Sequence, residues 1–188
     1  MLSPQPASLT PLQYLEIERK AEIKSEYIAG HMYAMSGASR RHNLIALNIG
    51  GEMSLQMRNR ACEAYVNDMR VKIDPSGIYT YPDLAAVCGE PHFEDDQVDT
   101  LTNPTLIMEV LSDSTEKYDR GEKFANYRRI ESLREYVLVA QDKIRVEHYV
   151  RDGEQWVFSE VSDPHSTFLL PSIGCELTLS AIYEKVEG

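Results

Sequence analysis

The chain has 188 residues and carries 19 Lys and Arg against 30 Asp and Glu, a net charge of −11. That length fits one domain over residues 1–188 with room for a sizeable core, and 43% hydrophobic with 26% charged residues excludes a disordered or low-complexity chain. The acidic balance excludes a broadly basic nucleic-acid coat and leaves room only for a local basic groove. In chain order, residues 1–9 read as a polar, proline-rich lead-in. Thr10-Pro11-Leu12-Gln13 is a helix start: Thr10 caps, Pro11 suits the first helical position and Gln13 reaches back. That helix runs to about Ala21, and Ile23 to Met35 predicts a hairpin turning at Ala29-Gly30. Leu44, Ile45, Leu47, Ile49 and Met53 recur near the helical period and predict a second helix from Ser39 to about Arg60. Gly50-Gly51 inside it costs roughly 2 kcal/mol relative to two alanines, which close packing against a neighbour compensates.

Strands follow. Cys62 to Val66 and Met69 to Ile73 are short and partly alternating, and Asp74-Pro75-Ser76-Gly77 is a turn. Tyr79 to Cys88 and Thr105 to Leu111 are the most hydrophobic strands, separated by the acidic loop Gly89 to Asn103. Asp119-Arg120-Gly121-Glu122 reads as a second capping box opening a helix to about Ile130. Tyr136 to Ala140, Arg145 to Tyr149 and Gln155 to Val161 predict a C-terminal meander with a hairpin turn at Asp152-Gly153, and Ser180 to Lys185 a last short helix. The expected fold is α+β, with a mixed sheet flanked by helices.

The three cysteines show no CxxC spacing, so neither a disulfide framework nor a zinc finger is expected. They read as small core residues, and a reducing cytoplasm is the expected compartment. No apolar run approaches the ~20 residues of a membrane span, and the N-terminus lacks the basic start and apolar core of a signal peptide. Exposed edge strands favour a homodimer.

Two acids stand in unusual places. In Leu106-Ile107-Met108-Glu109-Val110-Leu111 both faces are apolar apart from Glu109, which marks a central strand covered on both sides. A lone carboxylate there is costly unless neutralised, paired or metal-bound. Asp83 likewise opens an apolar run, directly after Pro82, which suits a strand start or bulge. If these strands are neighbours, the two carboxylates converge and can hold a hard cation such as Mg²⁺ or Mn²⁺. The bland alternatives are a turn-capping Asp83 and a Glu109 paired with an arginine. Lys123, early in the following helix, needs an anionic partner, either the acids or simply Asp119 four residues back. Glu26, in the first hairpin strand, reads as solvent-facing. His42, third in the second helix, reads as a local hydrogen-bonding residue.

Charge is uneven. Residues 39–72 hold six bases against three acids and residues 112–146 eight against seven, whereas residues 147–188 hold two against eight. Any polyanion-facing surface is therefore built from the second helix and the segment around residues 117–134.

Taken in order, Glu26-Tyr27-Ile28-Ala29-Gly30, Arg41-His42-Asn43, Tyr81-Pro82-Asp83, Pro104 to Ser112, Lys123-Phe124-Ala125-Asn126-Tyr127-Arg128 and Leu133 to Val139 resemble a known pattern. It is that of the Uma-type restriction endonuclease family, once filed as a domain of unknown function, within the PD-(D/E)XK superfamily. The resemblance implies a restriction-endonuclease-like fold and metal-dependent hydrolysis of nucleic acid, with DNA the expected polymer. It matches Asp83 and Glu109 to the motif's acids and Glu26 to an early supporting acid, and the Val110 carbonyl, next after Glu109 on the same strand end, is a further expected metal ligand. The superfamily's lysine, two residues after the acid, is replaced by Leu111, and Lys123 is the natural substitute. Arg40, Arg41, His42, Lys117, Arg120 and Tyr127 are the expected nucleic-acid contacts. A non-cleaving binding module is the competing reading. A glycosidase lacks aromatic platforms near its acids, and a zinc site lacks ligand spacing.

Overall fold

The first helix is specified locally. In α1 (Pro11–Glu18) Thr10 and Gln13 form the full capping box, with Pro11 in the first turn. The hairpin of β1 (Ser25–Ile28) and β2 (His31–Ala34) turns through Ala29 at φ 49° and Gly30 at φ 88°. Both central residues are left-handed, as a twist-matched two-residue hairpin requires. Ser39 caps α2 (Arg40–Met57), accepting from the His42 amide. The computed structural model describes residues 8–73 and 77–186. Asp74, Pro75 and Ser76 of the expected turn lie outside the described residues.

Among the described residues thirteen strands form three sheets. The large one orders β11 (Gln155–Val161), β10 (Val146–Asp152), β9 (Glu135–Ala140), β8 (Leu106–Leu111), β6 (Leu84–Cys88) and β3 (Cys62–Val66). It is mixed: β8 runs parallel to β9 and antiparallel to β6. The second orders β2, β1, β5 (Ile78–Thr80), β4 (Arg70–Ile73) and β7 (Thr100–Leu101). The expected single strand over residues 79–88 is thus two strands in two sheets. Its break falls at Tyr81-Pro82-Asp83, where Pro82 has no N–H to give a ladder. The acidic loop contributes β7, and the hairpin of β12 (Thr167–Leu170) and β13 (Cys175–Thr178) escaped the sequence reading.

Helices cover both faces of the large sheet. Leu106, Met108 and Val110 join Ile45, Ile49 and Met53 of α2 in one core, closed by β12, β13 and α5 (Leu179–Ile182). Ile107 and Leu111 face the other way, against Phe124, Tyr127 and Tyr136. The segment above them is α3 (Glu116–Tyr118), a π-helical stretch over Asp119–Lys123 and α4 (Phe124–Tyr127) without interruption. Asp119 is therefore not the expected cap but a buried residue within the helical run. Cys62 and Cys88 also correct an expectation. They are direct cross-strand partners on β3 and β6, joined as a disulfide, while Cys175 is buried and free. Antiparallel pairing brings together two residues whose sequence spacing carried no signal.

The two helical glycines differ. A Cβ on Gly50 would lie 3.0 Å from Val66 Cγ2, whereas one on Gly51 would meet nothing within 4 Å. Gly51→Ala should therefore gain the helix-propensity increment of about 0.5–1 kcal/mol, raising Tm by roughly 2–4 °C. Gly50→Ala should gain less or lose stability, and equal gains in thermal melts would contradict close packing at Gly50.

Candidate active site

Glu109 sits in the middle strand of the large sheet, 3% exposed, on the face it shares with Ile107 and Leu111. Asp83 ends the Tyr81-Pro82-Asp83 break, immediately before β6, whose Leu84 pairs with Met108. Asp83 Oδ2 accepts the Val110 amide at 2.7 Å, and the Asp83 amide approaches Glu109 Oε2 at 3.4 Å. The two acids therefore meet on adjacent strands. What Val110 brings to Asp83 is its N–H.

Lys123 reaches this face from the helix. Its ammonium lies 2.9 Å from Glu109 Oε1, 3.2 Å from Glu26 Oε1 and 3.7 Å from Asp119 Oδ1, with 5% of the residue exposed. Both sequence readings of Lys123 hold at once: it pairs with Asp119 one turn back and it reaches the acids. It bridges Glu109 and Glu26, not Glu109 and Asp83. Leu111, where the resemblance leads one to expect a lysine, packs into the core beneath. The π-helical turn carrying Asp119 and Lys123 is a device common at functional sites.

Glu26 corrects its sequence reading, for it is buried, not solvent-facing. It accepts from the Tyr81 amide at 3.3 Å and from the Tyr118 hydroxyl at 3.4 Å. Tyr127 is corrected too. It is fully buried, and its hydroxyl donates to Glu109 Oε1 at 3.0 Å and lies 3.0 Å from Thr80 Oγ1. It positions Glu109 and is not presented to a nucleic acid. His42 does more than local bonding: its Nε2 lies 3.0 Å from Asp83 Oδ2, and its buried Nδ1 has no hydrogen-bond partner among the described residues.

The expected basic contacts do not converge here. Arg40 donates to the Lys185 carbonyl, and Arg120 is held by Glu116 and Glu147. Lys117 is exposed and Arg41 half-buried, and none of these four lines the cleft over the acids. That cleft is about 1130 Å³ and is lined by Glu26, His42, Asp83, Glu109, Asp119 and Lys123, among others. Sequence reasoning missed Asp119 as a site residue. The Asp119 to Lys123 spacing was its only signal.

Electrostatics follow from burial. Burial pushes the Glu109 carboxyl well above the usual carboxylate range, Lys123 pulls against it, and Asp119 and Asp83 add to the rise. Burial raises Asp119 as well, again opposed by Lys123. For Lys123 burial favours the neutral amine, but Glu109, Glu26 and Asp119 outweigh it and hold the ammonium charged.

A mixed sheet, helices on both faces and clustered acids at a cleft make this a nuclease-like fold. The chain belongs to the Uma2 family, described as "Putative restriction endonuclease", whose model matches residues 11–181. It is 42% identical over 154 residues to the uncharacterized protein sll1609 of Synechocystis sp., covering 81% of this chain and 87% of that relative. It is 33% identical over 178 residues to the uncharacterized protein slr1290 of the same organism, covering 93% and 91%. Among solved structures it resembles a "putative nuclease belonging to DUF820" from Anabaena variabilis, with TM-score 0.76 and 16% identity, over 95% of this chain and 99% of that one.

Lys123→Met leaves three buried carboxylates facing one another and should cost roughly 3–5 kcal/mol in urea unfolding at pH 7. Adding Glu109→Gln should recover part of that loss. A single-variant cost below ~1 kcal/mol, or strict additivity, would contradict the ion-pair geometry.

Proposed function

We propose that the protein is a metal-dependent endonuclease that hydrolyses phosphodiester bonds of nucleic acid, with DNA as the expected polymer. One observation carries this reading: the buried carboxylates of Glu26, Glu109 and Asp119 and the half-buried Asp83 line one cleft, where the one buried ammonium among the described lining residues is that of Lys123. Such an excess of negative charge favours a hard divalent cation. Among the described residues no three His, Cys, Asp or Glu side chains form a ready metal cage. Two carboxylates with water and substrate oxygens completing the shell suit Mg²⁺ or Mn²⁺, and the all-oxygen donors fit that hardness.

Asp83 and Glu109 hold the ion in this reading, with the Val110 carbonyl as a further oxygen donor. When bound, the ion supplies polarisation of the phosphodiester and acidification of an attacking water. Asp83 is oriented by the Val110 amide and His42, Glu109 by Tyr127 and Lys123. Lys123 supplies a fixed positive charge where negative charge develops on the phosphate. Glu26 and Asp119 keep that ammonium charged and in place. The non-cleaving module is the weaker reading, because an unused site has no need to keep three acids around a buried lysine with a fourth, Asp83, beside them.

Purified protein with supercoiled plasmid and Mg²⁺ or Mn²⁺, against an EDTA control, tests the activity. The expected outcome is metal-dependent nicking at strand-separated regions of the supercoiled plasmid, reduced about 10²–10³-fold in Lys123→Ala at a temperature where that variant is folded. Mg²⁺ should also raise Tm, and Glu109→Gln should abolish that rise. No cleavage of any nucleic acid together with an unchanged metal response in Glu109→Gln would overturn the assignment.

A further inference from the structure

Tyr33 is the one aromatic residue at the mouth of the cleft that the fold does not use. The chain has eleven tyrosines. Every one except Tyr33 has its hydroxyl hydrogen-bonded among the described residues. Tyr33 also has no ring partner there, and it is 53% exposed. Its position is fixed by register. It lies directly opposite Glu26 in the β1–β2 pair, and directly opposite residues share a sheet face. The Tyr33 ring therefore stands beside the carboxylate that holds Lys123, on the wall of the same cleft. Ile23, Ile28 and Met35 extend that wall, and Ile23 is 64% exposed.

The charge of the cleft limits what enters it. Its described lining contains seven carboxylates, the two lysines Lys24 and Lys123, and no arginine. Lys24 is itself paired with Asp68. One divalent cation offsets only part of this excess. A duplex carries one phosphate charge per ~1.7 Å and needs basic side chains along its path, which this cleft lacks. An unpaired strand has half that linear charge density and exposes base faces that stack on aromatic rings, with little demand for phosphate pairing.

We infer that the cleft takes an unpaired nucleic-acid strand, with a base stacked on Tyr33 next to the Glu26–Lys123 pair. The inference rests on the nuclease reading and names its substrate class. Tyr33 is then a residue that selects and seats the strand, and the scissile phosphate lies one short step away, over Glu109 and Asp83.

Binding is measured with Ca²⁺ in place of Mg²⁺, using the full chain and Tyr33→Trp, Tyr33→Ala and Tyr33→Phe variants. The probes are oligo(dT), oligo(U) and a blunt DNA duplex of equal length. Oligo(dT), oligo(U) or both should quench the added indole emission of Tyr33→Trp beyond the Trp156 baseline of the natural chain, and the duplex should not. The oligonucleotide that quenches identifies the sugar preference. Tyr33→Ala should weaken single-strand affinity about tenfold, and Tyr33→Phe should retain it. All variants should melt with the natural chain, since among the described residues the ring has no hydrogen bond and no ring partner. Quenching by neither single strand, equal binding of the duplex, or unchanged affinity in Tyr33→Ala overturns the inference. Cleavage by the natural chain with Mg²⁺ is scored in parallel. Cleavage without a Tyr33 effect sinks the stacking role alone, and stacking without cleavage of any substrate sinks the nuclease reading alone.

Discussion

The burial of Glu109 in the central strand is the constraint on which the site depends. A carboxylate in the middle of a six-stranded sheet loses its water on both sides. It is tolerable only because Lys123 and Tyr127 reach it from the helix above. That requirement fixes the helix over the sheet, and it draws Asp119 and Glu26 to the same ammonium. Each further acid makes the lysine more firmly charged and the Glu109 carboxyl less willing to ionise. The cluster is thus held between two demands, and the proposed cation at the Asp83 and Glu109 oxygens would relieve both.

The scaffold serves this arrangement in few steps. Pro82 ends one sheet and delivers Asp83 to the start of β6, opposite Glu109. Arg70, itself buried, bonds the Tyr81 hydroxyl and anchors the break from behind. The β1–β2 hairpin supplies Glu26 from the second sheet, so the site is a seam between two sheets closed by one helical segment. The π-helical turn lets Asp119 and Lys123 point inward together.

Much of this was legible in the sequence. The capped first helix, the Ala29-Gly30 hairpin, the central strand with its anomalous Glu109 and the meander all follow from local pattern, because side-chain period and turn chemistry are local properties. The acids Asp83 and Glu109 stood out because carboxylates in apolar strands carry a visible cost. What local pattern could not supply was pairing. The disulfide between Cys62 and Cys88, the burial of Glu26 and the bond from His42 to Asp83 depend on which strands and helices lie side by side. Tyr127 looked like a contact residue for the same reason: its helix was known, but not what lay beneath it. Arg120 was misplaced because its partners, Glu116 and Glu147, come together only in the folded sheet.

The function then rests on a division of labour. In the proposed reading the acids and Lys123 form the reaction centre, and the hairpin wall beside them selects what approaches it. The family carries the name of a nuclease and the fold is nuclease-like, while the acidic cleft sets this chain apart from a basic duplex-binding groove. Locating Mn²⁺ by its anomalous scattering in crystals of the protein tests the central claim most directly. The account predicts one ion held by the carboxylates of Asp83 and Glu109, with Lys123 still on the Glu26 side. Mn²⁺ bound elsewhere, with the space between Asp83 and Glu109 empty at saturating metal, would contradict it.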